Sequence, residues 1–152
     1  MKPLPHSALS RRSFLAASAA AGAALPFRGA LADNPNSFVL RAAQERARLV
    51  PESWGETDIW CYGGTVPGPD IRIRQGERLR IEVENALNEE TTVHWHGVRV
   101  PNAMDGVPHL TQQPIAPGGR FTYEFDAMDA GTFWYHPHQR SFEQVGRGLY
   151  GA

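Results

Sequence analysis

The histidines of this sequence are grouped in a way that suits metal binding. Four of the six fall into two copies of one pattern, His94-Trp95-His96 and His136-Pro137-His138. In an extended chain, residues i and i+2 point to the same face, with Cα atoms about 7 Å apart. The two imidazoles of each pair can therefore share one metal or bind two neighbouring metals. Imidazole suits copper, zinc, iron and nickel, and copper(II) binds most tightly of the divalent series. Two such pairs predict a metal site.

The remaining histidines fit no such pattern. His6 lies in the N-terminal segment described below, and His109 has no partner histidine, so it is interpreted as a loop residue. The cupin metal motif is the nearest alternative for the paired histidines. It requires a glycine six residues before the first histidine and a later glutamate, whereas position 88 is Asn and the glutamate is missing.

Short alternating runs around these pairs predict strands. Apolar residues occupy every second position from Ile71 to Val83, on both sides of Gln75-Gly76-Glu77, which predicts a strand, a turn and a second strand. Further strands are expected at residues 38–50, 57–62, 121–125 and 132–135, and at 91–93 leading into the first histidine pair. Short strands separated by frequent turn signals predict an all-β fold, an antiparallel β-sandwich or barrel.

The N-terminus contains the three parts of an export signal in order. Arg11-Arg12 precede an Ala-rich apolar run from Phe14 to Leu25, and Ala30-Leu31-Ala32 matches a cleavage site. The arginine pair resembles a twin-arginine signal, a route that exports folded proteins. The apolar run is about 12 residues, shorter than the ~20 that a membrane span needs. We therefore expect residues 1–32 to be a signal peptide, residues 33–152 to form one domain, and the protein to be periplasmic or extracellular.

The expected mature domain is acidic and contains one cysteine. Residues 33–152 carry 11 basic and 16 acidic residues, a net charge of −5 before histidines are counted. This charge argues against nucleic acid or an anionic membrane surface as the partner. Cys61 alone excludes an internal disulfide and a multi-cysteine metal site. Its apolar neighbours indicate burial as a small hydrophobic residue rather than a reactive thiol.

Taken together, the motifs resemble the first cupredoxin (plastocyanin-like) domain of multicopper oxidases, the laccase-like and copper-resistance oxidases. The matching segments are Thr65-Val-Pro-Gly-Pro-Asp-Ile71, His94-Trp-His-Gly97, Asp105-Gly-Val-Pro108, Gln113-Pro-Ile-Ala-Pro-Gly-Gly119, Gly131-Thr-Phe-Trp-Tyr-His-Pro-His138 and Gly148-Leu-Tyr-Gly151. The resemblance implies a Greek-key, cupredoxin-like β-sandwich. It also implies a trinuclear copper cluster that reduces O2 to water.

The resemblance extends to individual residues. It implies that His94 binds the type 2 copper, that His96 and His136 bind one type 3 copper, and that His138 binds the other. Asp105 matches the acidic residue that delivers protons to reduced oxygen, but Asp105-Gly106 is equally a turn signal, and both interpretations stay open.

The sequence holds only part of the family's copper machinery. The family's cluster takes eight histidines, and the other four, together with the His-Cys-His segment of the type 1 site, are absent from this sequence. We therefore expect the domain to supply half of the cluster ligands and to be inactive alone, with C-terminal cupredoxin domains or another subunit supplying the rest. The sequence also ends within what the family makes the domain's last strand, which indicates a truncated product or a partial reading frame.

Two alternatives remain open at this point. One is a stand-alone exported copper-binding or interaction module without catalysis. The other is a family member that has lost copper and is structural, although retention of all four ligands speaks against it. The reducing substrate, whether a phenol, a cuprous ion or another metal ion, is not specified by these residues.

Overall fold

The structure, a computed structural model, describes residues 35–152. The segment expected to be a signal peptide therefore lies outside the described residues. The described part contains strands β1 (Ser37–Ala47), β2 (Thr57–Tyr62), β3 (Arg78–Asn85), β4 (His94–His96), β5 (Arg120–Asp126) and β6 (Trp134–His136), one α-helix, α1 (Ser141–Gln144), and 3₁₀ turns at Glu52–Trp54 and Asn102–Met104.

The strands form two sheets. Four of them lie in the order β2-β1-β3-β5, and β4 pairs with β6 in a separate two-stranded sheet. The all-β prediction is confirmed. One strand pair departs from the predicted antiparallel arrangement. β1 and β3 run parallel, with Phe38 opposite Ile81, whereas the other pairs are antiparallel. Parallel neighbours need a long crossover connection, and residues 48–77, which include β2, supply it.

The alternating pattern of β3 divides core from solvent as expected. Leu79, Ile81 and Val83 are buried and pack in one hydrophobic core with Tyr123 and Phe125 of β5. The arginines between them face solvent. Arg78 donates to Glu124 and Asp126, and Arg80 donates to Glu124. These arginines form part of the charged outer face of the sheet.

Two predicted strands are not formed. Residues 71–74 were expected to form a strand before the Gln75-Gly76-Glu77 turn, but β1 and β5 already bond both edges of β3, so β3 offers them no edge to pair with. The segment is fastened instead by Ile71, whose backbone N–H donates to Ala152 O. Residues 91–93 also lie outside regular strand, except for a single bridge from Thr91 to Ile115. The first strand ends at Ala47 rather than at residue 50.

Candidate metal centre

The two histidine pairs meet on the small sheet formed by β4 and β6. In its antiparallel register, His94 lies opposite His136 and His96 lies opposite Trp134. Side chains one residue apart in a strand point to opposite faces, so these four share one face. Trp95 points to the other face, where its ring packs within 6 Å of the rings of Tyr123, Phe125 and Tyr135. The core thereby holds one face of the β4–β6 ladder in place, and the other face of this ladder carries the imidazoles.

All four paired histidines come together. The ring centroid of His94 lies 5.7 Å from that of His96, 5.5 Å from that of His136 and 4.3 Å from that of His138. The rings of His136 and His138 are stacked at 5.3 Å. Ligand atoms of His94, His96 and His136 all lie within 4.8 Å of one another. His138 follows β6 by two residues and stands beside this group.

Backbone carbonyls orient two of the rings. His94 Nδ1 lies 2.7 Å from Asp105 O, and His136 Nδ1 lies 3.1 Å from Pro137 O. A carbonyl oxygen only accepts, so each Nδ1 carries the proton and donates. The lone pair that can bind a metal is therefore on Nε2 of each ring. Metal-binding histidines commonly have their second nitrogen fixed in this way.

The third ring completes a pair of facing nitrogens. His96 Nδ1 lies 3.2 Å from His136 Nε2. Two nitrogens bound at about 2.0 Å to a common ion lie roughly 3 Å apart, so this spacing fits two ligands of one metal. The donor set is purely imidazole, which suits copper. The residues present therefore fit the metal that the resemblance implies.

The lowered pKa values of His136 and His138 favour metal binding. Burial is the main cause that lowers the pKa of His136 below its ordinary value, with the nearby imidazoles adding to the effect. The pKa of His138 is lowered for the same reasons. A lowered pKa keeps the ring neutral, which is the form that binds metal.

Side-chain hydrogen bonds hold the segment that leads into β4. Thr91 Oγ1 donates to Gln144 Oε1 of α1 at 2.8 Å, and Thr92 Oγ1 accepts from the backbone N–H of His138 at 3.2 Å. The backbone N–H of Val93 donates to Tyr123 Oη at 2.9 Å. A side chain thus takes the backbone N–H of Val93, and backbone pairing in this segment is limited to the bridge between Thr91 and Ile115.

Asp105 is placed both at a turn and beside the cluster. It ends the 3₁₀ turn Asn102–Met104, with φ −78° and ψ −17°. Its carboxylate Oδ1 lies 3.3 Å from His94 Nδ1, somewhat farther than its own backbone oxygen. Both interpretations drawn from the sequence are therefore compatible with its position.

The other two residues singled out in the sequence are not part of the group formed by His94, His96 and His136. His109 has a positive φ of 64°, and its backbone N–H donates to Gln112 O, as befits a loop residue. Cys61 is a free, fully buried thiol, as expected.

Sequence reasoning missed two residues at the site. Trp134 precedes His136 by two positions, so the strand period itself placed it on the histidine face. Gln144 is fully buried and bonded to Thr91, Glu89 Oε1 and Glu90 O. No local signal indicates its role, because its partners are more than 50 residues away.

Comparisons with known proteins identify the family. The multicopper oxidase family model matches residues 44–152. The copper resistance protein A homolog of Pseudomonas syringae pv. tomato is 46% identical over 106 residues, which cover 64% of this chain and 18% of that protein. The multicopper oxidase MmcO of Mycobacterium tuberculosis is 36% identical over 148 residues, covering 85% of this chain and 29% of that protein.

A solved structure shows the same fold. The multicopper oxidase of Pseudomonas thermotolerans superimposes with a TM-score of 0.72 at 50% identity, covering 76% of this chain and 28% of that one. The fold is therefore cupredoxin-like. The chain spans less than a third of the length of these relatives. Within residues 35–152, no helix has the length and apolar character needed to cross a bilayer. The match over residues 44–152 and the relatives it agrees with establish that the chain belongs to the multicopper oxidase family.

Proposed function

We propose that this chain contributes half of the ligands of a trinuclear copper cluster in an oxidase that couples substrate oxidation to four-electron reduction of O2 to water. One observation carries the proposal. His96 Nδ1 and His136 Nε2 face each other at 3.2 Å within a cluster of four imidazoles. That separation suits two ligands of one ion, and each dioxygen needs several electrons delivered at one place.

The orientation of the rings supports a division of the four ligands. We assign His96 and His136 to one type 3 copper because their nitrogens face each other. His94 is assigned to the type 2 copper through Nε2, because its Nδ1 donates to Asp105 O. His138 is assigned to the second type 3 copper. Copper bound here supplies the electron transfer that reduces dioxygen.

We further propose that Asp105 supplies protons for that reduction. Its side chain is 35% exposed while its carboxylate lies 3.3 Å from His94 Nδ1, so one carboxylate contacts both solvent and the cluster. Such a group can take a proton from water and pass it inward. The backbone carbonyl of the same residue orients the His94 ring.

The remaining ligands are proposed to come from further cupredoxin domains or another subunit. The chain covers only 18% of the copper resistance protein homolog and 29% of MmcO, which leaves room in such proteins for more domains. The type 1 copper and the binding site for the reducing substrate belong to that part of the assembly. The family match favours this arrangement over a stand-alone copper-binding module.

We also propose that residues 1–32 are a twin-arginine signal peptide and that the domain acts outside the cytoplasm. The support is the sequence pattern alone, Arg11-Arg12 before an apolar run and a cleavage pattern at Ala30-Leu31-Ala32. Export through this route would deliver the folded domain to the periplasm or beyond.

The test is to load the 152-residue chain with Cu(II), record its visible spectrum and follow oxygen uptake with a phenolic donor. We expect copper binding that weakens at least tenfold in His96→Ala and His136→Ala, as lost metal contacts generally do. We also expect no intense blue band and no oxygen uptake. His109→Ala is the control and should bind copper as the parent chain does. Copper-dependent oxygen consumption by this chain alone would contradict the proposal. So would copper affinity that is unchanged in both His96→Ala and His136→Ala.

A further inference from the structure

The histidine face of the β4–β6 ladder has four positions, and one of them is not a ligand. His94, His96 and His136 occupy three, and Trp134 occupies the fourth, directly opposite His96. The tryptophan side chain therefore stands among the imidazoles rather than in the core, which lies on the other face of the ladder. It remains 40% exposed, an unusual placement for a large aromatic residue.

Trp134 contacts two of the proposed ligands through its ring. Its ring centroid lies 3.9 Å from that of His136, with the planes 25° apart, a stacked arrangement. The centroid of His96 lies 5.0 Å away, with the planes at 34°. One indole thus covers the two imidazoles whose nitrogens face each other at 3.2 Å.

Of the three imidazoles on the ladder, that of His96 is the one that no backbone carbonyl of the described residues orients. The rings of His94 and His136 are each fixed by a backbone carbonyl, Asp105 O and Pro137 O. Within residues 35–152, the ring of His96 has a hydrogen bond only to His136, and its side chain is exposed. A rotation about its Cβ–Cγ bond that tilts the ring out of its present plane would turn Nδ1 away from His136 Nε2 and break the contact with the indole. Packing against the indole opposes that rotation, since a ring held between neighbours cannot turn without losing its contacts.

We propose that Trp134 is a positioning residue, which holds the imidazoles of His96 and His136 with Nδ1 and Nε2 facing a common metal. This inference rests on the proposed function, because it assumes that these two nitrogens bind one ion. In the ladder, Trp134 supplies to His96 the orientation that a carbonyl supplies to the other two rings. Fixing ligand orientation in this way typically changes metal affinity by about 10–100-fold.

The experiment titrates the 152-residue chain with Cu(II) against a competing chelator. Trp134→Ala and Trp134→Leu should each bind Cu(II) about tenfold more weakly, because leucine fills space but offers no flat face. Trp134→Phe keeps a stacking ring and should stay within about threefold. The matched control is Trp54→Ala, which removes an indole that is 79% exposed and lies in the 3₁₀ turn Glu52–Trp54, outside the β4–β6 ladder.

A second measurement needs no metal. In the metal-free chain, nitrogen-detected imidazole spectra show which ring nitrogen carries the proton. They should show one predominant ring state, that is one tautomer, for His96 and a mixture of ring states in Trp134→Ala. Should Trp134→Ala fail to fold, Trp134→Phe and Trp134→Leu still provide the comparison, with Leu weaker than Phe. A merely structural role would lower the unfolding temperature without separating Phe from Leu in copper affinity.

The outcomes separate this inference from the function on which it rests. If His96→Ala weakens Cu(II) binding while Trp134→Ala and Trp134→Leu bind as the parent does, the positioning role is wrong and the metal site stands. If neither His96→Ala nor His136→Ala weakens binding, the proposed copper site is wrong and the positioning role is wrong with it. Weakening in the Ala and Leu variants, together with loss of the single His96 ring state, supports both.

Discussion

The hydroxyl of Thr91 donates a hydrogen bond to Gln144 Oε1 at 2.8 Å, joining residues 53 positions apart. Gln144 Nε2 donates in turn to Glu90 O and Glu89 Oε1, both at 2.8 Å. Gln144 and Thr91 are fully buried, so the amide of one and the hydroxyl of the other would lack water if they lost their partners. This network connects α1, which follows the second histidine pair, to the segment that leads into the first.

Gln144→Ala should therefore destabilise the chain by about 2 kcal/mol, because it leaves buried polar groups without partners. Thr91→Val, which keeps the volume and removes the hydroxyl, should cost about 1–2 kcal/mol. The double variant should cost less than the two losses combined, since the residues act on each other. Urea denaturation measures all three, and the exposed Gln113→Ala is the control. Strict additivity would show that the hydrogen bond contributes nothing.

Gly106 lies where the Asp105 turn passes close under β4. Its φ is +77°, and a Cβ there would overlap Val93 O and approach the backbone nitrogen of His94. Gly106→Ala should therefore destabilise the chain by more than about 3 kcal/mol, combining left-handed strain with a backbone collision. Gly118 has a φ of +75° but open space around it, so Gly118→Ala isolates the strain alone. Equal losses in thermal unfolding would show that the collision is relieved without cost.

The two oxygens of Asp105 that approach His94 should have separable roles. Asp105→Asn keeps the backbone carbonyl that accepts from His94 Nδ1 at 2.7 Å and removes only the negative charge. Copper affinity of the chain should then change by less than about threefold, against the 10–100-fold that a lost orienting contact costs. Titration with Cu(II), with His94→Ala as the reference for a lost ligand, checks this. A tenfold loss in Asp105→Asn would show that the carboxylate, not the carbonyl, orients the ring.

Cys61 should be unreactive while the chain is folded. Burial raises the pKa of its thiol above the ordinary value, because desolvation disfavours the thiolate. The thiolate, which is the form that attacks, is therefore less populated than in an exposed cysteine. Labelling with a disulfide reagent at pH 8 should be on the order of a hundredfold slower in native chain than in denaturant. Equal rates would contradict the buried position.

Export should depend on Arg11 and Arg12. Replacing both with Lys keeps the positive charge but removes the arginine pair that the twin-arginine route requires. The uncleaved precursor should then accumulate in the cytoplasm, as measured by cell fractionation and immunoblotting. Arg28→Lys, which lies past the apolar run, is the control. Export of the double variant at the parent's rate would rule out the twin-arginine assignment.

The local pattern of residues along the chain was enough to determine which side chains share a face of a strand and which residues form the candidate metal site. The period of two in β3 separated buried Leu79 and Ile81 from exposed Arg78 and Arg80, because successive side chains of a strand point to opposite faces. The same rule put both histidines of the first pair on one face and Trp95 on the other. The type and spacing of the histidines pointed to a metal and to the family.

Tertiary structure decided how those faces meet. The register that sets His94 opposite His136 and His96 opposite Trp134 joins residues about 40 positions apart, and no local period specifies such a register. The strand expected at residues 71–74 is absent for a related reason, because β1 and β5 occupy both edges of β3 and leave none for a segment adjacent in sequence. The buried bond from Thr91 to Gln144 likewise exists only after both segments have been packed together, since each alone would satisfy its polar groups with water.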